Sequence, residues 1–268
     1  MKLERPGATL VLQMKGQGET LVFLHAGVAD KRMWRPQLAA FADSHRAVAY
    51  DRRGFGETEA EDVPFSHIDD LKAVLDALDA EQATLVGCSQ GGRIALDFCL
   101  THPARVIGLV LVAPAVSGAA WLEQFSERVQ ARLDELDKAE ETGDLAKVNE
   151  LEAQLWLDGP ASPAGRVSGE LREMFLDMNG LALAKSELTQ EAEPPSALGR
   201  LSNITAPTLL LWGELDFSHV RERCRELLAT IPNAAGKELK GAAHLPNLEL
   251  AEQVNERLRT FLEGSAGQ

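Results

Sequence analysis

Apolar residues fall along this chain in two kinds of stretch. Leu10-Val11-Leu12, Leu21 to Leu24, Ala47 to Tyr50, Ala83 to Val86, Val106 to Val112 and Thr208 to Trp212 are short, nearly continuous runs. Their length and β-branched content predict strands, and continuity suits parallel strands buried on both faces. Elsewhere the apolar positions recur at helical spacing: Met33 to Phe41, Ile68-Leu71-Val74-Leu75-Leu78, Arg93 to Leu100, Val220 to Ile231 and Leu250 to Leu262. These predict amphipathic helices. Leu239 ends a final strand. The alternation predicts an α/β fold, a mostly parallel open sheet with helices on both faces. Gly16-Gln17-Gly18 between the first two runs predicts an opening hairpin.

One region breaks the alternation. Between Ala115 and about Ser202 no run reads as a strand. Leu122, Phe125, Val129, Leu133 and Leu136 form one helical stripe; Leu145, Val148, Leu151 and Leu155 form a second beyond Thr142-Gly143-Asp144. Together they predict a helical hairpin. Gly159-Pro160 breaks the chain, a further helix is expected over Glu170 to Leu188, and Pro194-Pro195 closes the segment. The expected organisation is a core of residues 1–114 and 203–268 with a helical cap, 115–202, inserted between two strands.

Charge sharpens this picture. The formal net charge is −14, so no nucleic acid partner is expected, because phosphate binding needs a basic face. Residues 118–200 hold 17 Asp and Glu against 8 Lys and Arg, which reads first as a solvated helical surface. Cys88, Cys99 and Cys224 have neither disulfide-framework nor metal-type spacing and are expected as small core residues. The N-terminus lacks a signal-like apolar region, and Val106 to Val116, the longest apolar run, is too short to span a bilayer. A soluble, reduced, cytoplasmic protein is expected, with no membrane partner and no indication of oligomeric state.

The candidate chemistry lies in Gly87-Cys88-Ser89-Gln90-Gly91-Gly92, a G-x-S-x-G sequence between a predicted strand and a predicted helix. Such a turn puts the serine at a strained apex and needs near-absent side chains two positions either side. A serine hydroxyl needs a histidine to take its proton and a carboxylate to orient that histidine. Asp216 and His244 each follow a predicted strand, and loops at the carboxyl ends of parallel strands converge on one crevice.

These segments together resemble the α/β-hydrolase family over nearly the whole chain. Phe23-Leu24-His25-Ala26-Gly27 is similar to the family's strand-then-His-Gly segment, and Asp51-Arg52-Arg53-Gly54-Phe55-Gly56-Glu57-Thr58 to its D-x-R-G-x-G-x-S loop. Ala26 and Thr58 depart from the usual glycine and serine. The resemblance implies Ser89 as nucleophile, His244 as base and Asp216 as acid, with Glu214 and His219 as the competing acid and base. It implies an oxyanion hole from the N–H groups of Gln90 and Gly27, with Val28 the alternative to Gly27. His25 is expected to be structural, His45 and His67 to lie at the surface, and His102 to end a helix.

A serine nucleophile sets the chain apart from the family's aspartate dehalogenases and epoxide hydrolases and its cysteine dienelactone hydrolases. The expected reaction is acyl transfer to water on a small or medium, largely neutral ester or lactone, with no metal or organic cofactor. A C–C bond or enol-lactone hydrolase, a haloperoxidase or perhydrolase side activity, and a non-catalytic ligand binder remain as alternatives. Val28, Met33, Trp34, Trp121, Phe125, Trp156, Phe175, Met178 and Phe217 are the candidate pocket residues.

Overall fold

A computed structural model describes residues 1–120 and 124–265. Its elements follow the predicted alternation. In chain order they are β1 (Lys2–Arg5), β2 (Ala8–Lys15), β3 (Thr20–Leu24), α1 (Arg35–Phe41), β4 (Arg46–Asp51), β5 (Glu59–Ala60), α2 (His67–Ala77), β6 (Ala83–Cys88), α3 (Gln90–Thr101) and β7 (Val106–Val112). The insertion contributes α4 (Glu127–Thr142), α5 (Leu145–Glu152), a π-helical turn (Ala153–Asp158) and α6 (Glu170–Leu183). Then come β8 (Thr208–Gly213), α7 (Ser218–Thr230), β9 (Ala234–Leu239), α8 (Pro246–Glu249) and α9 (Ala251–Ser265).

One sheet runs β1-β2-β4-β3-β6-β7-β8-β9, with β5 added on β2. Neighbours from β4 through β9 are parallel, and β1 and β2 are antiparallel. Successive residues of the central strands bury on opposite faces. Leu85, Leu109 and Leu111 pack with α2, α3 and α7 residues such as Leu71, Phe98 and Cys224. Val86, Val110 and Val112 pack with Leu38 of α1 and Val254 and Leu258 of α9. Both faces are covered, which is why these strands read as continuous apolar runs.

The opening hairpin is corrected. β2 does not pair with β3, because β4 lies between them, with Leu12 opposite Tyr50 on one side and Leu24 beside Tyr50 on the other. A β3-α1-β4 crossover returns β4 parallel to β3 and takes the place beside it. The hairpin that does form joins β1 to β2 across Pro6-Gly7. The helix expected to reach Leu188 ends at Leu183; just beyond, the Lys185 ammonium donates to the carbonyls of Phe55, Gly56 and Thr58. Phe125 precedes α4, where the Ser126 side chain accepts from the Val129 amide as the helix cap.

Gly143, in the left-handed conformation, ends α4, and Asp144 caps α5. The acidic side chains Asp134, Glu135, Asp137, Glu140 and Glu141 face solvent, as the charge reading expects. The inner side of the insertion joins the core: Val129 and Leu155 continue one apolar cluster, Leu157, Phe175 and Met178 the other. Cys88, Cys99 and Cys224 are buried free thiols, and no described helix is long and apolar enough to cross a membrane.

Candidate active site

Ser89 sits at the apex between β6 and α3 with φ 51° and ψ −115°. A non-glycine residue pays for this left-handed φ in strain, a cost concentrated at functional sites. The turn is too tight for side chains at its flanks. A Cβ on Gly87 would lie 2.3 Å from the Gly91 carbonyl oxygen, and one on Gly91 would lie 2.2 Å from that of Leu24. The G-x-S-x-G spacing is thus a packing requirement of this turn.

Asp216 and His244 are brought together. The His244 Nδ1–H donates to Asp216 Oδ2 at 2.8 Å, and the Phe217 amide donates to Asp216 Oδ1 at 2.7 Å. Both side chains are at most 4% exposed. The bond fixes the imidazole tautomer and leaves Nε2 as the acceptor; Nε2 is buried and has no hydrogen-bond partner among the described residues. Ser89 and His244 line one cavity of about 170 Å³, but their hydrogen bond is not closed. Such catalytic bonds commonly tighten only in the reacting complex. The competing acid, Glu214, is exposed and accepts from the Gly241 amide at 3.1 Å. His219 lines the same cavity as His244, half-buried, with burial lowering its pKa.

On the other flank, His25 is fully buried. Burial, with the Arg52 charge beside it, holds its pKa well below the ordinary imidazole value, so the ring is neutral. The Arg52 amide donates to His25 Nε2 at 3.1 Å, which places the ring proton on Nδ1, and Nδ1–H donates to the Ala26 carbonyl at 2.7 Å. Arg52 Nη2 adds contacts of 3.3 Å to the carbonyls of His25 and Ala26. In a trans peptide the N–H points opposite to the C=O. Holding the Ala26 carbonyl against His25 and Arg52 therefore turns the Gly27 N–H away from them. Gly27 lies against Gln90: a Cβ there would sit 3.2 Å from Gln90 Oε1. Gln90 opens α3, where backbone N–H groups have no helical acceptor.

Arg52 was not among the predicted site residues. Its guanidinium is fully buried, lies 4.5 Å over the Phe55 ring, and has its pKa pushed down to about 10 by burial. The rest of the D-R-R-G-F-G loop is structural. Asp51 accepts from the Lys31 ammonium at 2.6 Å and the Glu57 amide at 2.8 Å, while Arg53 pairs with Asp70 at 2.7 Å. Thr58 uses its hydroxyl to join the Asp51 carbonyl at 2.7 Å and the Val11 amide at 3.0 Å, so its replacement of serine keeps the contact.

The pocket candidates separate. Trp156 lines the Ser89 cavity, and its ring lies 4.6 Å from that of His244. Phe217 is buried behind it at 4.9 Å, and Phe125 meets Phe217 at 5.9 Å. Met33 and Trp34 are instead core residues: Trp34 packs on Phe23 at 5.2 Å, and the Met33 sulfur accepts from the Ala26 amide. Phe175 and Met178 are fully buried within the insertion, and Val28 is half-buried against the core. Trp121 lies outside the described residues. The sequence reading did not list the small wall of Ala115, Val116 and Ala119, or Arg223 beside His219.

His67 is corrected from surface to buried. It opens α2 against Phe65, its ring 5.1 Å from that side chain and 3.8 Å from Glu191. His45 is half-buried. A second cleft of about 380 Å³ has Gly27 and Gln90 in its wall with Glu152 and Asn179 of the insertion. A larger open groove of about 630 Å³ beside Met14 and Leu181 touches no catalytic candidate, and its Lys31 and Arg32 are already paired with Asp51 and Asp30. Among the described residues, no three His, Cys, Asp or Glu side chains are grouped to hold a metal ion.

A doubly covered parallel sheet, a strained serine elbow and a buried His–Asp pair at successive strand ends define a hydrolase fold. The chain belongs to the alpha/beta hydrolase family, whose model matches residues 21–257. It is 30% identical over 259 residues to a 2-hydroxy-6-oxononadienedioate/2-hydroxy-6-oxononatrienedioate hydrolase of Paraburkholderia phymatum, covering 91% of this chain and 87% of that one. It is 27% identical to 3-oxoadipate enol-lactonase 1 of Acinetobacter baylyi (98% and 96% covered) and 27% identical to carboxylesterase YbfK of Bacillus subtilis (91% and 80%). The solved structure of the Bacillus carboxylesterase superposes with a TM-score of 0.74 at 23% identity, covering 98% of this chain and 91% of that one.

Proposed function

We propose that the chain is a serine hydrolase that cleaves a carboxylic ester or lactone through an acyl-enzyme. The observation that carries this reading is the 2.8 Å bond to Asp216 from His244, which lines the same cavity as the strained Ser89. In the proposed sequence, Ser89 Oγ attacks the acyl carbonyl as His244 Nε2 takes its proton. Asp216 stabilises the imidazolium and holds its orientation. The N–H groups of Gly27 and Gln90 receive the developing oxyanion. His244 returns the proton to the leaving alkoxide, and water, deprotonated by His244, then releases the acid.

A cavity of about 170 Å³ is smaller than the roughly 300–1,000 Å³ of drug-sized sites, which favours a short acyl group. The relatives named as a carboxylesterase and an enol-lactonase support ester and lactone substrates. The substrate is a small, largely neutral molecule, and the work is cytoplasmic and needs no nucleic acid partner. In this reading residues 115–202 act as the cap over a core of 1–114 and 203–268. A panel of p-nitrophenyl esters of graded chain length, simple lactones and vinylogous diketones tests the proposal. Turnover of short esters or lactones that disappears in Ser89→Ala is expected. Turnover of the diketones alone would move the chain to C–C hydrolysis.

A further inference from the structure

The loop that carries His244, residues 240–245, has no regular structure of its own, yet its backbone polar groups are met from outside. The His244 amide donates to the Trp156 carbonyl at 3.3 Å. The Gly241 carbonyl accepts from Arg166 Nη1 at 2.9 Å. The Ala243 amide donates to Glu249 Oε1 at 2.7 Å, and Arg166 pairs with the other Glu249 oxygen. Arg166 also binds the carbonyls of Leu157 and Asp158, at 2.7 and 2.6 Å. One arginine of the insertion thus ties the π-helical turn to the histidine loop.

The same segment touches the acid loop. Gly159 has φ +97°, and a Cβ there would lie 2.6 Å from the Leu215 carbonyl oxygen and 3.3 Å from Ala243 Cβ. Leu215 precedes Asp216. The segment is itself held in one shape by the buried Asp158, which accepts from the amides of Gly165 and Val167 at 2.7 and 2.8 Å and from Arg172 at 2.9 Å. π-Helical turns are rare and concentrate at functional sites. This one delivers both the Trp156 carbonyl and the Trp156 ring to His244.

We infer that residues 156–166 are a positioning element for the His244–Asp216 pair as well as part of the cavity wall. Seating this segment sets the two catalytic loops against each other, and proton transfer depends on its being seated. The inference rests on the triad proposed above. It makes the insertion a component of the acid–base machinery, whereas the Lys185 ammonium, another tether of the insertion, bonds to the carbonyls of Phe55, Gly56 and Thr58.

The test measures kcat and KM on p-nitrophenyl acetate, together with the low-field proton NMR resonance of the His244 Nδ1–H, in Arg166→Met, Arg166→Lys, Gly159→Ala and Lys185→Met. Misplacing a catalytic group by about 1 Å costs up to ~10²-fold. Arg166→Met and Gly159→Ala are expected to lower kcat by about 10- to 100-fold with KM little changed, and to broaden or remove the resonance. Arg166→Lys should recover part of both, and Lys185→Met should retain the resonance. If Gly159→Ala does not fold, by circular dichroism, the two Arg166 variants decide. A folded Arg166→Met with wild-type kcat and an intact resonance would overturn the inference alone. Activity that survives Ser89→Ala would strike the serine-hydrolase reading instead, and the inference with it.

Discussion

The two flanks of Ser89 are built differently. On the proposed oxyanion side the bonds that set the loop come from the sheet core: the Arg52 amide fixes the His25 tautomer, and His25 Nδ1–H and Arg52 Nη2 hold the Ala26 carbonyl, which turns the Gly27 N–H away from them. On the acid–base side the core supplies Asp216 and His244, but the insertion supplies the Trp156 carbonyl and the Arg166 clamp. In the proposed mechanism, negative charge on the substrate is met by loops of the sheet core. In the same proposal, proton transfer depends on loops that the insertion also holds. An oxyanion hole is worth most when it needs no reorganisation, whereas His244, the proposed proton carrier, sits where the insertion meets the core.

The comparison can be broken at several points. The largest effect belongs to the residue common to both flanks: Ser89→Ala should reduce kcat by about 10⁶-fold, with folding retained by circular dichroism. On the acid–base side, Asp216→Asn should lower turnover by up to about 10⁴-fold, by the logic of serine protease triads. A similar loss in Glu214→Gln would instead transfer the acid role. On the oxyanion side, Arg52→Met should lower kcat by about 10- to 100-fold without raising KM and weaken binding of a boronic acid transition-state analogue. Arg52→Lys should recover part of the loss. An Arg52→Met variant that is folded and fully active would show that the Gly27 N–H needs no support from below.

A smaller effect is a pH dependence of stability. Burial holds His67 well below the ordinary imidazole value, with the charges of Arg52, Arg93 and Arg53 adding to it. The unfolded chain then binds a proton below about pH 6.5 that the folded chain refuses. The stability it contributes is present above that pH and is lost as pH falls toward the folded value, by at most about 1.4 kcal/mol per pH unit. His67→Gln should flatten the slope of the urea midpoint between pH 7.5 and 5.5. An unchanged slope would mean that the folded state accepts the proton after all. The smallest effect is expected from Glu214→Gln, which leaves the His244–Asp216 bond intact and should barely change kcat.

Much of this was legible in the chain. The elbow was readable because close packing at Gly87 and Gly91 is written in composition, and the central strands because burial on two faces leaves unbroken apolar runs. Strand order was not. Whether β2 meets β3 or β4 depends on a crossover through α1, which leaves no mark on the turn at Gly16 to Gly18. Met33 and Trp34 show the same limit for the site, since an apolar residue near a catalytic loop serves the core as readily as a pocket. The Trp156–His244 hydrogen bond runs through a backbone carbonyl, which no residue type announces. Arg52 did leave a signal: an arginine directly after Asp51, ahead of Arg53 and just past the buried end of β4.

The central claim is that Ser89 is the nucleophile activated by His244 and Asp216. Peptide mapping by mass spectrometry after reaction with a fluorophosphonate tests it most directly. One adduct on Ser89 is expected in the native chain, lost in Ser89→Ala and greatly slowed in His244→Ala. An adduct on another residue, or a folded chain that hydrolyses esters while Ser89 stays unmodified, would contradict it.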